Sequence, residues 1–137
     1  MKLIPVSEHP DATQILWDLL AERPAYANIS HKQMPTWHEH AEFVRCQNPY
    51  EAWYLIEETP HIVVGAIYLT FANEIGVGIF QKYQQCGYGS DAVVLLMMQH
   101  GERNYLANIA PLNQTSMHMF EKLGFKPIQV TFALEAK

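Results

Sequence analysis

A short glycine-containing loop carries the residues whose types and spacing best suit them to hold a charged ligand. It follows a segment rich in β-formers (residues 74–80), precedes seven consecutive apolar residues (92–98), and reads Gln84-Gln85-Cys86-Gly87-Tyr88-Gly89-Ser90. The two glycines let the backbone approach a ligand without Cβ clashes, and Ser90 is a natural N-cap for the next helix. The first amides of a helix lack intrahelical acceptors, and the helix dipole favours negative charge there. The sequence therefore predicts a strand, a phosphate-binding loop and a buried helix.

Two common phosphate-binding loops fit this stretch less well. A Walker loop requires a lysine at its end, and no lysine follows Gly89. The dinucleotide fingerprint matches residues 87–92, which read G-x-G-x-x-A, but it also needs an acidic residue about 20 positions on to hold the ribose. The predicted next strand ends near Ile109, and no Asp or Glu follows it before Glu121. A dinucleotide-binding protein is therefore the weaker alternative.

A third type of loop agrees with more of the chain. Gln84-x-x-Gly87-x-Gly89 resembles the pyrophosphate-binding motif, Gln/Arg-x-x-Gly-x-Gly/Ala, of the GNAT superfamily of N-acetyltransferases. Residues 74–92 are similar to the family's fourth strand running into its third helix. Residues 113–125, with Asn113, Ser116 and a closing Glu-Lys-Leu-Gly-Phe, resemble its fourth helix and the following turn. Both matches lie in the C-terminal half, in the family's order.

Composition narrows the class of protein. The 137 residues suit one domain (1–137), and 49% hydrophobic content is ordinary for a globular chain. A net charge of −5 argues against nucleic acid and against an anionic membrane surface as partners. Two cysteines are too few for a disulfide framework, which favours a reducing cytoplasm. The apolar runs are far shorter than the roughly 20 residues of a membrane span, and the N-terminus does not resemble a signal peptide.

Residue patterns predict alternating strands and helices along the chain. A capping box formed by Thr36 and Glu39 begins the second helix, and Asn113 is the expected N-cap of the last helix. Strands are expected at 2–6, 52–57, 61–71, 74–80, 104–109 and 125–134, and helices from 11, 36, 90 and 113. Periodicity alone indicates an α/β or α+β fold. The resemblance implies a mixed, mostly antiparallel sheet of six or seven strands, flanked by about four helices, with strands 4 and 5 splayed apart.

The resemblance also implies acetyl-CoA as co-substrate and assigns its contacts. In the family the pantetheine arm enters between strands 4 and 5, where an amide such as that of Ile79 can stabilise the oxyanion. Glu74 occupies the position of a base, whereas Phe120 replaces the usual acidic tyrosine and cannot donate a proton. The glycines at 76 and 78 suit close approach of a ligand. The expected cofactor contacts are Val77, Gly78, Ile79, Gln84, Gln85, Cys86, Gly87, Tyr88, Gly89, Ser90, Asn113, Ser116 and Phe120.

The acceptor is expected near the two early helices, where the family binds it. The candidate substrate contacts are His31, Met34, Trp37 and His40. A metal is not expected, because His38 and His40 would point to opposite sides of a helix. The sequence thus predicts an N-acetyltransferase acting on a small amine or amino sugar, with a protein N-terminus or lysine left open. A non-catalytic acyl-CoA-binding module is the alternative from another class, and a homodimer is compatible with either.

Overall fold

The computed structural model describes residues 1–23, 34–46 and 50–136. Within these ranges the strands are β1 (Lys2–Pro5), β2 (Tyr50–Thr59), β3 (Ile62–Thr70) and β4 (Ile75–Ile79). The helices are α1 (Ala12–Glu22), α2 (Trp37–Cys46), α3 (Tyr88–His100) and α4 (Gln114–Lys122), and short 3-10 turns occupy Val6–Glu8 and Gln81–Tyr83. No helix within the described ranges combines the length and apolar character needed to cross a membrane.

The strands form one antiparallel sheet in the order β1-β2-β3-β4. β2 and β3 cover two of the predicted strands and form a hairpin, whose turn includes His61 at a φ of +71°. The register between β3 and β4 places Gly65 opposite Ile79. A Cβ built on Gly65 would lie 2.1 Å from the carbonyl oxygen of Gly78. Only glycine therefore allows β3 and β4 to approach this closely, and the register of the pair is fixed at that point.

Helices cover both faces of the sheet, as predicted. One face packs on α1 and α2 through the buried residues Val6, Ala12, Leu16, Val44, Trp53, Leu55 and Ala66. The other face packs on α3 and α4 through Leu3, Ile56, Val64, Ile67, Leu69, Ile75, Ala92, Val93, Leu96 and Phe120. Because strand side chains alternate between faces, the sheet contributes to both cores, and it holds the two helix pairs in fixed positions relative to β4.

Local capping signals at two helices behave as the sequence predicts. Thr36 and Glu39 form a reciprocal capping box, in which the Glu39 N–H donates to Thr36 Oγ1 (3.1 Å) and the Thr36 N–H donates to Glu39 Oε1 (2.9 Å). Asn113 Oδ1 accepts from the Ser116 N–H at 3.3 Å and caps α4. Gly124, after α4, has the left-handed φ of +97° expected at that position.

The sheet has four strands in the described residues, and the prediction of six or seven was wrong for these ranges. Residues 104–109, which we call the edge segment, contribute a single parallel bridge between Glu74 and Leu106. Residues 126–136, which we call the C-terminal arm, lie outside the sheet. The strand expected at 125–134 was therefore also wrong, because an alternating apolar pattern does not specify which strand will pair with it.

Candidate active site

The hydrogen bonds between β3 and β4 determine which amides of β4 face the rest of the sheet. The Thr70 N–H donates to the Glu74 carbonyl at 2.9 Å, and the Phe80 N–H donates to the Val64 carbonyl at 2.9 Å. Both are hydrogen-bonded pairs of one antiparallel ladder, in which such pairs recur at every second residue. The even-numbered residues of β4 therefore turn their N–H and C=O groups towards β3.

The odd-numbered residues of β4 face the opposite way, towards the edge segment. The Ile75 N–H donates to the Leu106 carbonyl at 2.7 Å, which confirms this direction. Beyond Leu106 the edge segment makes no further bridge to β4 in the described residues. The backbone groups of Val77 and Ile79 therefore point into an open gap, whereas those of Gly78 are directed to β3. Such unpaired groups can bind an amide-containing ligand in the manner of an added strand.

The loop after β4 leads directly to the N-terminus of α3. Helix α3 begins at Tyr88 and its N-cap is Gly87, which has a φ of +84°. The prediction that Ser90 is the N-cap was wrong by three residues, because glycine can adopt the left-handed conformation that starts the helix earlier. The first intrahelical bond runs from the Asp91 N–H to the Gly87 carbonyl at 3.0 Å. The amides of residues 88–90 precede this bond and are available to an anion.

Gln84 fixes the position of this loop relative to the strand. Its side-chain Nε2 donates to the Ile79 carbonyl at 3.1 Å, so one backbone acceptor at the open edge is already occupied. Gln85 has a φ of +63°, a conformation that non-glycine residues adopt rarely and that tends to occur at functional sites. The Cys86 thiol donates to the Gln84 carbonyl, with the sulfur 3.6 Å from the oxygen. The loop is therefore an ordered, solvent-exposed turn attached to the end of β4.

The two glycines of the loop have different roles. A Cβ on Gly87 would meet no protein atom within 4 Å, so its open side is free for a ligand. Gly89 is buried, and a Cβ there would lie 3.1 Å from Met119 Sδ and 3.6 Å from Ile79 Cγ1. Gly89 thus permits α3 to pack closely on α4 and β4. Of the two, Gly87 is the position where an added side chain would reach the ligand side of the loop.

Glu74 lies at the closed end of the gap, where β4 and the edge segment still touch. Its Oε1 accepts from Thr70 Oγ1 at 3.1 Å, and its Oε2 accepts from Asn108 Nδ2. The Glu74 N–H donates to the same threonine hydroxyl at 3.0 Å. The side chain therefore joins the β3–β4 turn to the edge segment. Sequence analysis missed Asn108, whose one available signal was its place in the strand expected beside β4.

Tyr68 is a second residue that sequence analysis missed. Its ring packs over Gly76, since a Cβ built on that glycine would lie 2.1 Å from Tyr68 Cζ and 2.3 Å from its hydroxyl oxygen. The ring also stacks on Tyr50, with centroids 4.2 Å apart and planes 13° apart. Gly76 therefore gives space to Tyr68, where the sequence suggested space for a ligand. Burial raises the pKa of Tyr68 above its ordinary value, which already lies well above neutral pH, so the hydroxyl carries its proton and is a weaker acid than that of a free tyrosine.

Two of the predicted acceptor contacts lie together, since the rings of Trp37 and His40 have centroids 5.8 Å apart. Trp37 is exposed and packs edge-on against Trp17, with centroids 5.2 Å apart, and Met34 is also exposed. His40 is buried, and its Nε2 is 2.9 Å from the Thr13 carbonyl oxygen, so it joins α2 to α1. His31 lies outside the described residues. Of the three candidates that the structure describes, Trp37 and Met34 present a surface to solvent.

The α4 residues expected to bind cofactor have structural contacts in the protein. Asn113 and Ser116 form the N-cap described above. Phe120 is buried in the core, where its ring meets that of Phe125 edge-on with centroids 5.0 Å apart. A phenylalanine ring has no acidic proton to donate, and because this ring is buried it offers little surface to a ligand. In the part of the chain that the structure describes, no three His, Cys, Asp or Glu side chains are grouped as metal ligands.

Comparison with known proteins connects this geometry to a family. The family model described as "Acetyltransferase (GNAT) domain" matches residues 1–126. Among functionally curated proteins, none matches the sequence significantly. Solved structures do match, at sequence identities low enough that the likeness concerns the fold.

Three of these structures span most of the chain. A chimera of the spermidine N-acetyltransferase SpeG from Vibrio cholerae and hSSAT has a TM-score of 0.74 at 14% identity, covering 94% of this chain and 84% of its own. The aminoglycoside 6'-N-acetyltransferase AAC(6')-IG from Acinetobacter haemolyticus has a TM-score of 0.69 at 12% identity, covering 100% and 99%. YncA from Salmonella typhimurium, solved with its cofactor acetyl-CoA, has a TM-score of 0.64 at 16% identity, covering 90% and 77%.

Proposed function

Because the chain belongs to the GNAT family of acetyl-CoA-dependent N-acetyltransferases, we propose that it acetylates a small primary amine or amino sugar by direct attack on the thioester. The observation that supports this most is the continuity of two features. The open edge of β4 ends in a loop whose next residues are the free amides of α3. A ligand with amides in one part and a diphosphate in another, such as coenzyme A, matches both.

The diphosphate is proposed to bind at the tip of α3. The amides of Tyr88, Gly89 and Ser90 have no intrahelical acceptor, and the helix dipole favours an anion at that end. Gly87 leaves the approach to them clear. Lys82, in the turn just before the loop, adds a positive charge nearby and rests 5.1 Å from the ring centroid of Tyr83. These groups form the anion-binding part of the site.

The pantetheine arm is proposed to lie along the odd-numbered residues of β4. Val77 offers both its N–H and its C=O to the gap, whereas the Ile79 carbonyl is occupied by Gln84. The Ile79 N–H is thus left as a donor, and it is our candidate for stabilising the oxyanion of the tetrahedral intermediate. The sequence-based assignment of Gly78 is changed, since its backbone groups turn to β3 and it contributes by its small size.

The proton transfers are assigned to Glu74 and Tyr68. The amine nitrogen forms a bond to the thioester carbon and the C–S bond breaks. The proton lost by the amine passes to Glu74 through water, and the departing thiolate takes a proton from the Tyr68 hydroxyl. Tyr68 is the candidate because its ring lies over Gly76 of β4 and its hydroxyl carries a proton at neutral pH, and it regains that proton from solvent once the thiol has left. Phe120 holds the place of the family's usual tyrosine and cannot supply this proton.

The acceptor class rests on charge and on the neighbours' names. An acceptor in solution carries ammonium groups, and the net charge of −5 favours the approach of cations. Two structural neighbours are named for spermidine and aminoglycoside acetylation, and both compounds are polycations. Trp37 and Met34 provide exposed apolar surface on the α1/α2 face for the carbon skeleton. Small polyamines and amino sugars are therefore the first compounds to test.

A CoA-release assay across amines, polyamines, amino sugars and peptides tests the proposal. Its companion measurement is the Kd of acetyl-CoA, which separates binding from turnover. We expect Glu74→Gln and Tyr68→Phe to lower kcat at least 10-fold while the Kd changes less than about 3-fold. Glu102→Gln, at an exposed carboxylate just beyond the C-terminal end of α3, is the control and should match the parent protein.

Other outcomes would redirect the assignment. Binding of acetyl-CoA without CoA release for any acceptor would identify a non-catalytic acyl-CoA-binding module, an alternative favoured by the phenylalanine at position 120. Unchanged kcat in Glu74→Gln would mean that Glu74 is not the base. Its role would then be to join the β3–β4 turn to the edge segment. Binding of NAD(H) with no response to coenzyme A would support the dinucleotide alternative.

A further inference from the structure

A group of polar side chains joins the end of α3 to β2, apart from the residues assigned to the reaction. Tyr54 Oη lies 2.9 Å from His100 Nε2, and His100 Nδ1 lies 3.6 Å from Glu51 Oε2. The other oxygen of Glu51 accepts from Arg103 Nη1 at 2.9 Å. The side chains of Glu51 and Arg103 are each 28% exposed, so their contact is partly shielded from water and is stronger than that of a fully exposed ion pair.

Arg103 is the member of this group that contacts three separate parts of the chain. Its Nη1 donates to Glu51 on β2 and also to Asn73 Oδ1 in the β3–β4 turn, at 3.4 Å. Its Nε donates to the His100 carbonyl at the end of α3, at 3.2 Å. The guanidinium is planar and presents its donors in a fixed arrangement. These contacts therefore hold β2, the turn and the end of α3 in one relative position.

The end of α3 depends on such polar contacts because its buried apolar contacts stop earlier. Of the apolar residues 92–98, only Ala92, Val93 and Leu96 are buried, and Met98 is 74% exposed. The expectation of a buried helix therefore holds for one side alone. Arg103 follows this helix end and directly precedes the edge segment. It thus fixes the chain just before the edge segment meets β4.

The turn that Arg103 contacts leads directly into Glu74. Asn73 has a φ of +65°, in the left-handed region that asparagine adopts more readily than most other side chains. Its N–H donates to the Thr70 carbonyl at 3.1 Å, and its carbonyl accepts from the Leu106 N–H at 2.9 Å. With its side chain bound to Arg103, Asn73 is held by β3, by the edge segment and by the end of α3.

We infer that Arg103 is a positioning residue for Glu74, an inference that rests on the proposed role of Glu74 as the base. The two oxygens of Glu74 accept from Thr70 in the turn and from Asn108 in the edge segment. Arg103 binds the turn through Asn73 and begins the edge segment, so it sets the distance between these two supports. It touches no reacting atom itself. A displacement of about 1 Å at a reacting group can lower the rate up to roughly 100-fold.

Steady-state kinetics of Arg103→Met in the full chain, with an acceptor that supports CoA release, test the inference. Methionine keeps an apolar stem and removes every donor. We expect kcat to fall roughly 10-fold. The Kd of acetyl-CoA should stay within about 2-fold, since the proposed diphosphate site lies at the opposite end of α3. Arg45→Met is the matched control, because it removes a guanidinium 2.7 Å from Glu42 with the same change in net charge, and it should keep the parent kcat.

Asn73→Gly tests the same link from the other side. Glycine adopts the left-handed φ of this position freely, so only the side chain that Arg103 contacts is lost. This variant should fold fully by circular dichroism, and its kcat should fall in the same direction as that of Arg103→Met.

A double variant shows whether Arg103 acts through Glu74. Glu74→Gln/Arg103→Met should be no slower than Glu74→Gln alone, because no base is left to position. Hydrogen exchange adds a measurement that does not depend on turnover. The amides of Ile75 and Leu106 bond between β4, the turn and the edge segment, and they should exchange at least about 5-fold faster in Arg103→Met than in Arg45→Met.

The outcomes separate this inference from the proposed function. A loss of kcat in Arg103→Met that disappears in the Glu74→Gln background, with faster exchange at Leu106, supports it. A parent-like kcat in Arg103→Met or Asn73→Gly overturns it, as does unchanged exchange at both amides. A loss that recurs in full in the Glu74→Gln background also overturns it, since Arg103 would then act on another step. All of these results leave Glu74 as the base, whereas a parent-like kcat in Glu74→Gln overturns that assignment and the inference with it.

Discussion

Replacing Gly87 with alanine adds a side chain at the tip of α3 without adding a clash with protein. Gly87 has a φ of +84°, and an added Cβ would have no protein atom within 4 Å. The cost to the fold is therefore conformational, and left-handed backbone costs a non-glycine residue about 1–2 kcal/mol. For a domain of this size, that loss lowers Tm by roughly 3–8 °C. The variant should fold fully at room temperature, with a reduced midpoint in urea.

Gly87→Ala is expected to weaken the binding of coenzyme A by more than backbone strain alone would. The added methyl group stands on the open side of the loop, beside the amides that we propose hold the diphosphate. Loss of one hydrogen bond to a charged group costs about 1.5–3 kcal/mol. This corresponds to a Kd for coenzyme A that rises roughly 10- to 100-fold. Isothermal titration of the purified variant measures this directly.

Gly101 provides a matched control at the other end of the same helix. It has the same φ of +84°, with a ψ of −172°, and an added Cβ would again have no neighbour within 4 Å. That backbone region is almost confined to glycine, so Gly101→Ala should lose at least as much stability as Gly87→Ala. Its Kd for coenzyme A should stay within about 2-fold of the parent value, since the diphosphate lies at the opposite end of α3. Equal losses of affinity in both variants, or unchanged affinity in Gly87→Ala, would refute the proposal that the amides at the start of α3 hold the diphosphate.

Three further predictions concern stability. Thr36→Ala removes the acceptor of the Glu39 N–H and should cost about 1 kcal/mol in urea unfolding, whereas Thr36→Ser should keep most of the stability. His40→Leu removes the side-chain hydrogen bond to the Thr13 carbonyl and should cost about 0.5–1.5 kcal/mol, with an unchanged KM for the acceptor; a raised KM at unchanged stability would restore His40 as a substrate contact. The Arg103 guanidinium lowers the pKa of Glu51, so their pair stabilises the fold above the ordinary glutamate pKa of about 4.3 and loses this effect as the pH falls through the lowered value. The stability gap between the parent and Arg103→Met should therefore narrow in acid, and a gap that is constant from pH 7 to about pH 3 would contradict this assignment.

Features encoded within a few residues could be predicted from the sequence. The capping box at Thr36 and the cap at Asn113 depend on side chains three positions apart, and both form as expected. The β2–β3 hairpin follows from two β-rich runs with a short polar break. The loop from Gln84 to the start of α3 could be located in the sequence because the spacing of its glycines is a local pattern.

Features that depend on contacts between distant residues could not be predicted. The position of Tyr68 over Gly76 arises from the register of β3 against β4, which no local pattern specifies. The same register decides that Val77 and Ile79, and not Gly78, offer backbone groups to the gap. Ser90 was predicted to be the N-cap of α3, whereas the observed N-cap is Gly87. The backbone angles that glycine allows determine the start of the helix, although side-chain propensity favoured serine.

The close contact at Gly65 has a consequence for variants that insert or delete a residue in the turn between β3 and β4. A one-residue slip would bring a different residue against the Gly78 carbonyl, and any Cβ there would overlap it. The slip would also turn Ile75, Val77 and Ile79 out of their core and aim the amides of the even-numbered residues at the gap. Ligand recognition and the packing of the core thus depend on the same register of β3 against β4. Such length variants should lose both together, with no intermediate form that is folded yet presents the wrong set of amides.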